Sequence, residues 1–233
     1  MIFYYLFALF LLVYLHQYVY LLGDQILFKY YIKNDEILDK FNLYKRRYII
    51  KNLWKSAILA LILLSTSLSI IDGFFFQTWS PTVFLVWGTV YVSLDLSGLV
   101  YVRGLPIATK IHHIVVCILG TLNSMADYNL SGYYRSILIY TYFSIVPFIV
   151  NFYLGYRYLE SNDTRRKWVG QLSYYIYSIS LICNIIGQCV FFISQPFEWS
   201  ILFYLAMFTM IINDDIKLIQ FLSKESKLTI ISS

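Results

Sequence analysis

Apolar residues run along the chain in blocks long enough to cross a bilayer, and polar residues gather in the gaps. The blocks fall at roughly 2–22, 54–71, 82–102, 111–126, 136–156, 172–193 and 199–216. Each is close to the roughly 20 residues a helix needs to cross about 30 Å of hydrocarbon. A backbone in lipid must satisfy its own N–H and C=O groups, so such blocks form helices. The pattern predicts an all-α, polytopic transmembrane bundle of about seven spans. The opening block, MIFYYLFALFLLVYLHQYVYLLG, has no basic leading region and no small-residue cleavage site, and is expected to be a retained span.

Composition supports this reading. Of 233 residues, 59% are hydrophobic and 13% charged, with a mean hydropathy of +0.64; a soluble domain carries about 25% charged residues. The net charge of +5 would suggest nucleic acid in a soluble protein, but its distribution points to membrane orientation instead. Seventeen of the 18 lysines and arginines fall on alternate connectors or the C-terminal tail, and Arg135 is the exception. The positive-inside rule makes that side cytosolic, with the N-terminus lumenal or extracellular. Residues 23–53 hold KNDEILDKFNLYKRR, whose mixed charge and bulk fit a short interfacial helix or a solvated loop. Cys117, Cys183 and Cys189 lie in apolar blocks without metal or redox spacing and are expected to be buried thiols.

Ionisable groups inside the blocks are the informative exceptions, because each is costly in hydrocarbon and is a functional hypothesis by default. Asp95 lies in VSLDLSGLVYV, and His112 and His113 open the block KIHHIVVCILG. Val83, Trp87, Tyr91 and Asp95 repeat every four residues, so aromatic side chains line the way to a carboxylate. The short connector RGLPIAT makes the two spans antiparallel neighbours and brings Asp95 within reach of a histidine, which it would orient as an acid orients a catalytic base. The plainer role is an interfacial anchor for the histidines, with Asp95 satisfied by Ser93, Ser97 or a tyrosine. Tyr177, Ser180, Asn184 and Gln188 form one helical stripe, and Ser144, Pro147 and Asn151 another, with a kink expected at Pro147. With Asn123, these serve either as interhelical glue or as cavity lining. His16 has no partner visible in the sequence and reads as structural. No Walker loop, dinucleotide fingerprint, H-E-x-x-H or G-x-S-x-G is present, and three histidines are too few for a multi-histidine di-iron centre.

The acid one span before a histidine pair, the HHxxxxxL spacing met by His112, His113 and Leu119, Gly132, and SIVPFIVNFYLGYRYL in the following span together resemble the TLC domain. That module is shared by ceramide synthases, translocation-associated membrane proteins and lipid-regulating membrane proteins. The resemblance covers roughly residues 48–222, leaving 1–47 as a first span with a basic connector and 223–233 as a short cytosolic tail. It implies six helices forming a barrel around a lipid-accessible cavity. Ile139 and Tyr140 stand where ceramide synthases carry a His-Asp pair, and the glutamate usual in other members is absent.

The resemblance implies a protein that binds or regulates membrane lipids through this cavity. Asp95 would attract an ammonium headgroup, the histidines would bind phosphate or carbonyl oxygen, and Trp87, Tyr91, Asn123, Ser144, Asn151, Asn184 and Gln188 would contact the ligand. The alternative is an acyl-CoA-dependent N-acyltransferase of the ceramide synthase type, with His112, His113 and Asp95 as its catalytic group and acyl-CoA as co-substrate rather than a bound cofactor or metal. A further alternative is a chaperone or cargo adaptor of the secretory pathway. The implied partners are membrane lipids, a second copy of the chain in a homodimer, or secretory clients, and not nucleic acid. The implied location is the endoplasmic reticulum before the plasma membrane.

Overall fold

The computed structural model describes residues 2–27, 42–76, 78–102, 104–126, 132–194 and 199–227. Their regular elements are all helical: α1 (Ile2–Asp24), α2 (Leu43–Phe76), α3 (Pro81–Tyr101), α4 (Ile107–Asn123), α5 (Gly132–Ile145), α6 (Phe148–Tyr156), α7 (Asp163–Ser194) and α8 (Trp199–Lys227). Among the described residues, five segments are long and apolar enough to cross a membrane: Ile2–Leu27, Leu43–Gly73, Pro81–Tyr101, Tyr134–Tyr156 and Asp163–Ile193. Helix α4 is apolar but shorter, at 17 residues. The chain is thus a polytopic helical bundle whose outward faces, such as Leu64, Leu68, Phe75 and Ile193, are strongly exposed as lipid-facing positions would be. Most of the KNDEILDKFNLYKRR segment lies outside the described residues, and its last residues, from Leu43 onward, belong to α2.

Local signals set the element ends. Pro81 begins α3, where its missing N–H costs nothing, and Pro106 immediately precedes α4. Between them Gly104 adopts φ 78°, a left-handed conformation that suits glycine and turns the chain back sharply. Pro147 divides one apolar span into α5 and α6, as expected from its ring and lost donor.

Helix contacts close on themselves. Helix α2 packs on α3, α3 on α4, α4 on α8, α8 on α7, α7 on α6, and α6 again on α2. Helix α5 touches α2, α4, α7 and α8 from within, so the Pro147 break carries this span from the interior out to the wall. Helix α1 is apolar on all sides and lies outside, against α3 and α2. It buries one stripe, Tyr5, Leu9, Val13, His16 and Tyr20, spaced three and four residues apart. His16 is not partnerless: its Nε2 lies 2.9 Å from Ser93 Oγ, and Trp54 Nε1 donates to its Nδ1 at 3.0 Å. The stripe also places Tyr20 Oη 2.8 Å from Ser97 Oγ, and at its far end Asp24 pairs with Arg46 of α2. Of the cysteines expected to be buried, Cys117 and Cys183 are only half-buried, and Cys189 is exposed because it lies on the outer side of α7.

Small residues allow close helix approach, as lipid-embedded helices require. A Cβ on Gly155 would come 2.9 Å from the backbone carbonyl oxygen of Ile49 and 2.9 Å from Leu53 Cγ, so the α2–α6 contact depends on glycine. Gly88 has nothing within 4 Å. Gly155→Val should therefore destabilise the bundle by about 1–3 kcal/mol through overpacking, read as a lower unfolding midpoint in detergent, while Gly88→Ala should leave it unchanged.

Candidate functional site

Helix α3 carries three fully buried polar side chains two residues apart, Ser93, Asp95 and Ser97. The serines face α1, through His16 and Tyr20. Asp95 faces α2 and α4. Its Oδ1 accepts a short hydrogen bond from Lys55 Nζ and lies 3.1 Å from His113 Nδ1. The expected meeting of Asp95 with a histidine is present, and it includes Lys55, whose place near a span end accounts in the sequence only for membrane orientation. Because Lys55 already neutralises Asp95, the carboxylate is not the open ammonium receptor expected from the sequence.

His112 and His113 are successive residues of one helix, with ring centroids 5.5 Å apart and planes at 84°. Roughly 100° of helical rotation separates neighbours, and the two rings serve different walls. His113 turns to α3. His112 turns to α8, where its Nδ1 lies 3.4 Å from Asp214 Oδ2 and 3.8 Å from Asp215 Oδ1. Thr109 donates to Asp214 at 3.0 Å, and Tyr177 donates to Asp215 at 2.7 Å. Each imidazole thus faces carboxylates, and the carboxylates are held by other side chains.

Both histidines line a chamber of about 650 Å³ inside the ring of helices, within the roughly 300–1,000 Å³ of small-molecule sites. One part of its lining is charged, with Lys51, Lys55, Asp214, Asp215, Arg157 and Lys217. Another part is apolar, including Leu59, Val150, Leu154, Leu181 and Leu218. Tyr91, Ser144, Asn151 and Asn184 line it as expected. Trp87 and Asn123 do not: they line a separate apolar pocket of about 50 Å³, toward the other end of α3 and α4. Tyr91 and Tyr140 border both cavities and stand between them. Gln188 lines neither, and its amide nitrogen is engaged in helix contacts, donating to Ser136 O at 3.0 Å and Asn184 Oδ1 at 3.3 Å.

Compared with known proteins, the chain matches no family model, no curated protein and no solved structure.

Two kinds of chemistry fit this geometry. A histidine beside a carboxylate and open to a cavity can accept and return a proton, and here two such histidines face different sides of one chamber. Asp95, His112 and His113 also offer three ligand atoms within 4.8 Å of one another, enough in number for an open zinc site. Their surroundings do not suit a cation: Lys55 holds the same Asp95 oxygen that faces His113, and Lys51 stands beside the group. A divalent ion would have to displace one ammonium and lie near another.

Residues missed in the sequence are Lys51, Lys55, Asp214, Asp215 and Arg157. A signal for the first two was present in KNLWK, whose lysines are spaced four apart and so share one helical face.

Removing one partner of a buried ion pair strands the other charge. Lys55→Met or Asp95→Asn alone should therefore cost about 3–5 kcal/mol of bundle stability. The double variant should cost less than the two single losses added together, giving a coupling energy above about 0.5 kcal/mol in a double-mutant cycle of detergent unfolding.

Proposed function

We propose that this chain is a TLC-like integral membrane protein that binds membrane lipids, or adjusts their composition, through the chamber at the basic end of its helices. The observation carrying the reading is the composition of that chamber. An apolar wall of leucines and valine faces a cluster of ionisable side chains, the mixed surface an amphiphile requires. The closed run of contacts through α2, α3, α4, α8, α7 and the α5/α6 span supports a six-helix barrel with α1 outside it. In this reading α4 and α8 also cross the bilayer, giving seven spans, and the basic end of the chamber is cytosolic. The residence we favour is the endoplasmic reticulum.

Purified protein in lipid nanodiscs should carry lipid enriched over the surrounding membrane, identified by mass spectrometry of the extracted sample. Leu154→Trp, which fills the apolar wall, should remove that enrichment while the helical circular dichroism persists. Equal lipid content in wild type and variant would overturn the binding function. An acceptor asparagine fused to the C-terminus should stay unglycosylated, and its modification would reverse the orientation.

A second reading, acyl-CoA-dependent N-acylation, is favoured by one specific feature, the His113–Asp95–Lys55 alignment on the chamber wall. His113 would take the proton of an attacking amine while the amine nitrogen bonds to the thioester carbonyl carbon, and as the C–S bond breaks the thiolate of CoA would leave and receive that proton. Membranes given a labelled long-chain base and acyl-CoA should then form an amide that His113→Ala lowers by about 100-fold or more, the usual scale for a lost general base. Product formed equally by His113→Ala would exclude this chemistry.

A further inference from the structure

Lys51 lies one helical turn before Lys55, on the same face of α2, and both line the chamber. Their situations differ. Lys55 is paired with Asp95. Lys51 is only 4% exposed, yet among the described residues it makes no hydrogen bond and has no carboxylate within 4.0 Å. Its ammonium rests against Gly98, where a Cβ would come within 2.3 Å of Nζ and 3.8 Å of His113 Nε2. The backbone of α3 is bare at the point where the ammonium lies.

An ionisable group buried without a partner is costly, and inside an apolar bundle it marks a ligand or ion site by default. The nearest acid, Asp95, is already engaged by Lys55, so the pair nearly cancels and leaves Lys51 as surplus positive charge. Arg157 adds to it on the same chamber. Its Nη2 donates to Tyr158 Oη at 2.9 Å, and its guanidinium lies over the Tyr158 and Phe221 rings at 4.7 and 4.6 Å, while its buried Nε has no hydrogen-bond partner among the described residues.

We infer that the chamber holds a phosphate-type oxyanion at Lys51, beside Lys55 and His113, and that its amphiphilic ligand therefore carries an anionic phosphate head. The inference deepens the lipid-binding reading and reverses the charge of headgroup expected from Asp95 alone. A multi-oxygen anion suits several donors pointing at one place from different helices. The apolar wall takes the hydrocarbon part.

The test compares three probes by calorimetry on the full-length protein in phosphatidylcholine nanodiscs: oleoyl lysophosphatidic acid, monooleoylglycerol with the same chain but no charge, and inorganic phosphate. Lysophosphatidic acid should bind at least about tenfold more tightly than monooleoylglycerol, the scale of one charge-assisted hydrogen bond. Lys51→Met removes the charge at nearly constant length and should abolish that preference without weakening monooleoylglycerol. Gly98→Ala should reduce it by pushing the ammonium aside while keeping its charge, and it guards against a folding effect of the first variant. Equal binding of the two amphiphiles, or an anion preference that survives Lys51→Met, would overturn the inference and leave the lipid reading standing. Lys51-dependent binding of inorganic phosphate without binding of either amphiphile would keep the anion site and remove the lipid reading.

Discussion

An ionised carboxylate at the centre of an apolar bundle must be neutralised in place, and the arrangement of this protein follows from how Asp95 meets that demand. Moving such an ion out of water costs several kcal/mol even after relaxation, so a partner must arrive with it. Lys55 comes from α2 and His113 from α4, and together they fix three helices about one oxygen atom. The serines on either side extend the constraint to α1, through His16 and Tyr20. Helix α3 is therefore a polar spine in a greasy chain, with Ser93, Asp95 and Ser97 each assigned to a particular neighbour. Hydrophobic burial alone would not specify which helix lies where, because lipid tails are as apolar as leucine.

The chamber results from two backbone features acting with this spine. Pro147 ends α5 where that helix has filled the interior of one half of the bundle, and α6 continues in the wall between α2 and α7. The interior beyond the break is left to side chains, and Tyr140, Phe143 and Ser144 at the end of α5 border the space. The sharp turn at Gly104 brings His112 and His113 back to the level of Asp95. A buried ion pair in a well-packed core would require neither a cavity nor a second, unpaired lysine. The presence of both separates this site from a purely structural salt bridge.

Sequence periodicity made the helices and the Asp95–histidine meeting legible, because hydropathy and the i, i+4 rule act locally and the connector before α4 is short. The same rule misled at Trp87 and Asn123. They share helices with Asp95 and the histidines, but about two to three turns of rise carry them past Tyr91 and Tyr140 into a different pocket. Gln188 fitted the polar stripe of α7, yet whether an amide meets another helix or a cavity depends on the helix opposite, here α5 through Ser136. Lys51 and Lys55 were obscured by a competing explanation: lysines near a span end are expected from membrane orientation alone. Asp214 and Asp215 were missed because they close the last apolar block, where a carboxylate reads as a solvated helix end, and only the packing of α4 on α8 brings His112 to them.

The charge pattern also limits what the chamber can hold. If Asp95 stood alone, the site would attract cations, either an ammonium headgroup or a metal coordinated with the two histidines. With Lys55 paired to that acid, the local balance is close to neutral before Lys51 is counted and positive afterwards. Asp214 and Asp215 stand apart from it, against His112, and Lys217 of the same helix lines the chamber with them. The charged lining is therefore mixed: Lys51 and Lys55 come from α2, while α8 contributes Asp214 and Asp215 together with Lys217, with the adjacent imidazoles between. A ligand carrying both an anion and a proton-donating group could meet both walls at once. A simple cation would be repelled from the wall where Lys51 and Lys55 lie, and beside the aspartates of α8 it would meet Lys217.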